Sequence, residues 1–192
     1  FEIEGDRGDG TGTYGTLYVE YGLAGGRTAG LDLGIAETEA DKAVAFLRWH
    51  PGAMENGTRL AYELGAGMVD ETPALRPGVS LGWPLDYGAR SGWFAVDARA
   101  ILMAPEEVWS FGLAALEHRI ELDLTLGGDT SRGNKWLVQL QTGAPSDAES
   151  YAKLAPSYAM QMGAGRHVLL GVTAGIVGVD DVKLSLGLWQ KF

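Results

Sequence analysis

Cysteine is absent from all 192 residues, which excludes a disulfide scaffold, a thiolate metal site and a cysteine nucleophile. No apolar run approaches the roughly 18 residues that a helical membrane span needs. Yet 46% of the residues are hydrophobic, too many for a disordered chain. Bases are scarce, with 15 Lys and Arg against 25 Asp and Glu for a formal charge of −10. No basic stripe is available to neutralise phosphates, so nucleic acid is not an expected partner. Helical periodicity is nearly missing as well. No secretory leader precedes Phe1, so an exported protein is expected to be represented in its mature form. The length predicts one domain over 1–192, with residues 1–11 as a polar lead-in.

Two things are plentiful: glycine and strict alternation. Glycine fills 29 positions, about twice the usual share of roughly 7%. "TLYVEYGL" sets Leu17, Val19, Tyr21 and Leu23 against Thr16, Tyr18, Glu20 and Gly22. "RLAYELGAGM" and "IELDLTL" alternate as cleanly. This period of two predicts strands near 12–24, 28–37, 42–50, 58–69, 75–84, 91–103, 107–115, 117–127, 134–143, 150–162, 166–177 and 181–192. The stretch Ala104–His118 also reads as a short helix or an insertion, which would leave eleven strands.

Alternation does not say which face is inside, because a soluble barrel and a membrane barrel share it. Three features point to the membrane barrel. The polar face is rich in Gly22, Gly30, Gly34, Gly65, Gly67 and Gly171, residues that weaken a strand and suit a crowded interior better than a solvated surface. The tryptophans fall near predicted strand ends. With the start of the chain on the inner side, Trp49, Trp83 and Trp93 lie at the outer ends and Trp109, Trp136 and Trp189 at the inner ends, as two interfacial girdles. Finally, "VKLSLGLWQKF" places Val182, Leu184, Leu186, Leu188 and Phe192 on one face and Lys183, Ser185 and Gly187 on the other.

An amphipathic last strand stopping on Phe192 resembles the C-terminal strand of Gram-negative outer-membrane β-barrels. The resemblance implies an all-β fold, a closed antiparallel transmembrane barrel with short turns and both termini in the periplasm. It also implies a place in the bacterial outer membrane among lipid and lipopolysaccharide, with Phe192 as the signal read by the barrel-assembly machinery. Single-chain bacterial barrels have even strand numbers, so twelve strands are expected, with ten as the even alternative. The opening hairpin Tyr18–Ile35 is similar to hairpins of small proteobacterial barrels, some of them grouped as transporters.

Carrying the parity through places Glu20, Asp32, Arg48, Arg59, Glu63, Arg76, Asp97, Arg99, Arg119, Glu121, Asp123, Lys135, Lys153 and Lys183 in the lumen. Acids and bases confined together pair, since an unpaired charge there is costly. The expected function is a narrow channel for small solutes with these charges setting selectivity. The alternatives are a closed barrel with a structural role, working through an envelope partner or as a homo-oligomer, and a lipid-modifying enzyme at the rim. For the enzyme, His50 and His118 fall near the outer rim and His167 near the inner, but no serine stands two residues from any of them. No catalytic residue, metal ligand or cofactor site is therefore assigned. "GTGTYG" precedes a strand instead of opening a helix, so it lacks the phosphate-cradling context. Pro77 and Pro156 face outward and each removes one ladder donor, which predicts local fraying. The longest connections, around Pro51–Gly57, Pro84–Ser91 and Gly143–Ser150, are expected on one side.

Overall fold

The computed structural model describes residues 2–6, 13–36, 39–54, 56–88, 90–104, 117–180 and 182–190. Twelve strands follow in chain order: β1 (Glu2–Asp6), β2 (Thr13–Leu23), β3 (Arg27–Ala36), β4 (Glu39–Trp49), β5 (Arg59–Val69), β6 (Thr72–Tyr87), β7 (Arg90–Met103), β8 (Glu117–Asp129), β9 (Lys135–Pro145), β10 (Tyr151–Gly163), β11 (Arg166–Val177) and β12 (Val182–Gln190). Each pairs antiparallel with its chain neighbours, and β1 joins β12 to close the barrel. Closure leaves no sheet edge, so each strand finds ladder partners on both sides.

The strands are not quite the ones the alternation predicts. Glu2–Asp6, read as lead-in, pairs with both β2 and β12. The expected strand at 107–115 lies outside the described residues. Its neighbours β7 and β8 pair directly with each other, from Gly92↔Gly128 to Met103↔Glu117. The alternation of Trp109, Phe111 and Leu113 is a local signal, and strand pairing is a long-range one.

Tight turns connect most strands. The three-residue turn Ala24-Gly25-Gly26 between Leu23 and Arg27 carries φ of 74° and 67° at its glycines, left-handed geometry that glycine adopts without strain. The β5–β6 turn adopts the same region without glycine, with Asp70 at φ 49° and Glu71 at φ 60°. Both prolines interrupt the ladder as expected. The β6–β7 pairing lapses between Leu75↔Leu102 and Gly78↔Arg99, and the β10–β11 pairing between Leu154↔Ala174 and Ser157↔Gly171.

Register settles the two faces. Leu31, Leu47, Leu64, Leu75, Leu170 and Leu186 are exposed, forming the apolar exterior, while Asp32, Glu63 and Arg76 are buried inside. Among the described residues no helix is long and apolar enough to cross a membrane; the strands are what an apolar exterior of this kind presents to lipid.

Candidate functional site: a charged lumen filled from one side

The inner wall from β2 to β6 is tied together by a chain of ion pairs. Lys42 Nζ meets Asp32 Oδ1 at 2.9 Å, and Asp32 Oδ2 accepts from Arg76 Nη1 at 2.5 Å. Arg76 Nε and Nη2 both reach Glu63 Oε1, at 3.1 and 3.0 Å. Glu63 Oε2 accepts from Arg48 Nη2 at 2.7 Å, and Arg48 Nη1 donates to Glu20 Oε1 at 2.5 Å. The Tyr18 hydroxyl donates to the same Glu20 oxygen at 2.8 Å and accepts from Arg48 Nη2 at 3.1 Å.

This chain of pairs exists because alternate residues of neighbouring strands share a face: Arg48 stands opposite Glu63 in register, and Glu63 opposite Gly78. Glu63 and Arg76 are only 5% and 4% exposed. Charges so far from water hold their state only when each is matched and hydrogen-bonded, and here both carboxylate oxygens of Glu63 are occupied. Phe46 forms the floor. The guanidinium groups of Arg48 and Arg76 lie 5.4 and 5.3 Å from its ring centre, and Tyr18 stacks on it at 5.5 Å.

A looser cluster occupies β7 and β8. Arg99 Nη1 is 3.7 Å from Asp123 Oδ2, with both side chains about a quarter exposed. Ser80 Oγ donates to Asp97 Oδ1 at 2.5 Å. Register sets Asp97 opposite Asp123 and Arg99 opposite Glu121, so one base sits among three acids. Arg119 reaches Asp70 across the β5–β6 turn at 3.5 Å. Burial first, then the neighbouring Asp41, pushes the Asp70 carboxyl above the usual carboxylate range, with Arg119 opposing.

The other predicted lumen residues are distributed around the barrel. Arg59 opens β5 opposite Gly82. Lys135 pairs with Asp129 and lies 5.5 Å from the Trp93 ring. Lys153 lies 5.5 Å from the Tyr151 ring. Lys183 is in register with Thr173 on β11 and Asp6 on β1. Along β11 and β12 the inward positions Leu169, Gly171, Thr173, Ser185 and Gly187 are mostly small and partly exposed. The lumen is therefore most closely filled around Asp32, Glu63 and Arg76, while small inward residues on β11–β12 stay partly exposed.

The polar parity also carries apolar groups. Val44, Val69, Ala74, Ile101 and Met103 form one buried cluster on the inward face of β4–β7, toward the Asp70-Glu71 end. The available signal was "KAVAFLR", where Val44 and Phe46 share the parity of Lys42 and Arg48.

The five tryptophans among the described residues do not divide into two girdles. Trp49 and Trp83 lie toward the strand ends next to the turns at 50–58 and 88, Trp93 and Trp136 near the starts of β7 and β9, and Trp189 near the end of β12. In an up-and-down barrel all of these are the same end, the one that holds both ends of the described chain. By register Trp93 faces inward, opposite Gly127, so it is not an interfacial anchor. Trp109 and Phe192 lie outside the described residues. The connections at 50–58 and 88–89 share the chain-end rim, whereas 146–150 is at the opposite one.

The histidines are split between the rims. The backbone of His50 donates to Gly26 O at 2.8 Å, and a ring nitrogen of His167 is 3.1 Å from Gly133 O, both at the chain-end rim. His118 is at the other rim, where its backbone N–H donates to Ser146 Oγ at 3.1 Å, a backbone contact and not a base–nucleophile pair. Ser110 lies outside the described residues. Among the described residues no three His, Asp or Glu side chains gather as a metal site.

No protein-family model matches the chain, and no curated protein matches its sequence. Among solved structures, it is similar to the NanC porin solved in a rhombohedral crystal form, with a TM-score of 0.75 and 10% sequence identity, over 100% of this chain and 99% of that one. At that identity the likeness speaks for the fold alone, a closed antiparallel β-barrel.

Proposed function

We propose that this chain sits in the bacterial outer membrane and is a narrow conduit for small polar solutes. They would move along the hydrated β11–β12 side of a lumen whose other side is filled by the Lys42–Asp32–Arg76–Glu63–Arg48–Glu20 chain of pairs. The rim holding both chain ends is the periplasmic one in this reading. The observation that carries it is the uneven filling: Asp32, Glu63 and Arg76 are buried and matched, while Arg99 and Asp123 remain within reach of water. Twelve strands fall between the roughly eight that side chains fill and the sixteen that leave a wide channel. In such a barrel, side-chain volume and charge decide what passes.

Planar-bilayer recording of the detergent-folded protein tests this. Discrete conductance steps with an ion preference that shifts in Arg99→Gln are expected. A barrel that migrates as folded on an unheated gel yet never conducts would overturn the conduit. The burial of Glu63 and Arg76 would then favour the second reading, a closed barrel with a structural role.

A further inference from the structure

The two rims differ in charge. Arg27, Arg90, Arg132 and Arg166 are exposed at the chain-end rim, and no ion pair to another described residue is formed by any of them. The opposite rim exposes Asp70, Glu71, Glu117, Asp147, Glu149 and Asp180. Asp86 is also exposed at the chain-end rim, so the net charge of −10 hides an end where exposed arginines outnumber exposed acids among the described residues.

At that basic end is a notch of about 310 Å³ lined by Tyr87, Arg90, Ser91, Asp129, Thr130 and Trp136, with Gly128 in its wall. Its two aromatic walls lie flat on the barrel because glycine sits beneath them. A Cβ on Gly92 would be 2.8 Å from the Tyr87 ring, and one on Gly128 would be 2.7 Å from Trp136 Nε1. Asp129 is already paired with Lys135, and Asp86, in register with Ser91, takes the inward parity, so Arg90 is the charge the notch presents outward. Thr130 Oγ1 is shielded from water with no hydrogen-bond partner among the described residues. Tyr87, Arg90, Gly128 and Trp136 share the outward parity, so the notch opens at the barrel's outer surface, next to a strand end.

The geometry points to a binding site for the phosphate group of a phospholipid, held by Arg90 between Tyr87 and Trp136. Arginine presents a forked set of donors that suits phosphate oxygens, and aromatic rings favour the headgroup level of a membrane. The volume suits a headgroup, being at the lower end of the range for small-molecule sites. The acidic opposite rim would repel the same phosphates. This inference rests on the membrane reading above.

Native mass spectrometry of the detergent-folded barrel, titrated with phosphatidylglycerol, tests it against Arg90→Gln and against Arg27→Gln, which removes a charge from the same rim outside the notch. One retained phosphatidylglycerol is expected, weakened about tenfold by Arg90→Gln, the scale of one charge-assisted hydrogen bond, and hardly changed by Arg27→Gln. Equal loss in both variants would mean general attraction to the rim and overturn the site. So would displacement of the lipid by an equal concentration of inorganic phosphate, which would identify a free-anion site. Migration on an unheated gel checks that each variant is folded. A barrel that never enters liposomes defeats the membrane reading itself; one that enters but retains no lipid through Arg90 defeats only this inference.

Discussion

The ring of Phe46 lies against Gly30, its register partner on the neighbouring strand, in the space that a side chain at position 30 would fill. Glycine at this point in β3 is required by packing and not by backbone conformation. Gly30→Val must push the ring off the guanidinium groups it supports. We expect a loss of about 1–3 kcal/mol, the usual cost of overpacking, read as a lower urea midpoint in folding trials. The loss should shrink in a Phe46→Ala background, because the two positions share one space.

Phe46→Ala alone should act on passage. Without the ring, Arg48 and Arg76 lose their cation–π support, and the filled side of the lumen recedes. Single-channel conductance should rise relative to the parent protein, and an unchanged step size would show that the filled side does not limit the width of the path.

Glu63→Gln keeps the shape and removes the charge that Arg76 and Arg48 both use. Breaking a buried pair on one side strands the other charge, at about 3–5 kcal/mol. The fraction of folded barrel on an unheated gel should fall sharply. By contrast, Asp123→Asn, in the partly hydrated cluster, should leave folding nearly unchanged and alter ion preference.

The Asp70-Glu71 turn predicts a pH effect. The Asp70 carboxyl is raised by burial and by Asp41, so the folded state holds this proton more tightly than the unfolded chain does. Its contribution to stability is present below the ordinary carboxylate pKa and is lost as pH rises through the elevated value. Asp70→Asn should flatten stability across that window in an unfolding series from acid to neutral pH. Glu71→Gly at φ 60° should stabilise by about 1 kcal/mol through relief of a left-handed backbone, independently of pH.

Much of this protein is legible in its sequence. The parity that sent Leu64 outward and Glu63 inward needed only the strand period of two, which is a property of each strand alone. The same local rule anticipated the lapses at Pro77 and Pro156. It also grouped the inward charges Glu20, Asp32, Arg48, Glu63 and Arg76. It could not say that Asp32 would pair with both Lys42 and Arg76, or that Phe46 would sit beneath the network, because a pairing depends on which strands become neighbours and in what register.

The ends of the strands were a different matter. Which face a residue takes is decided within its own strand, but which rim it reaches depends on how many times the chain has already crossed. Counting a strand at 107–115 reversed the direction assigned to everything after it, sending Trp136 and Trp189 to the rim opposite Trp49 and Trp83. The sequence alone determined a two-faced, closed antiparallel barrel with an apolar exterior and a charged interior. Tertiary structure decided that β1 closes it, that five described tryptophans share one rim with Arg27, Arg90, Arg132 and Arg166, and that the lumen fills from one side, since each of these depends on contacts between residues far apart in the chain.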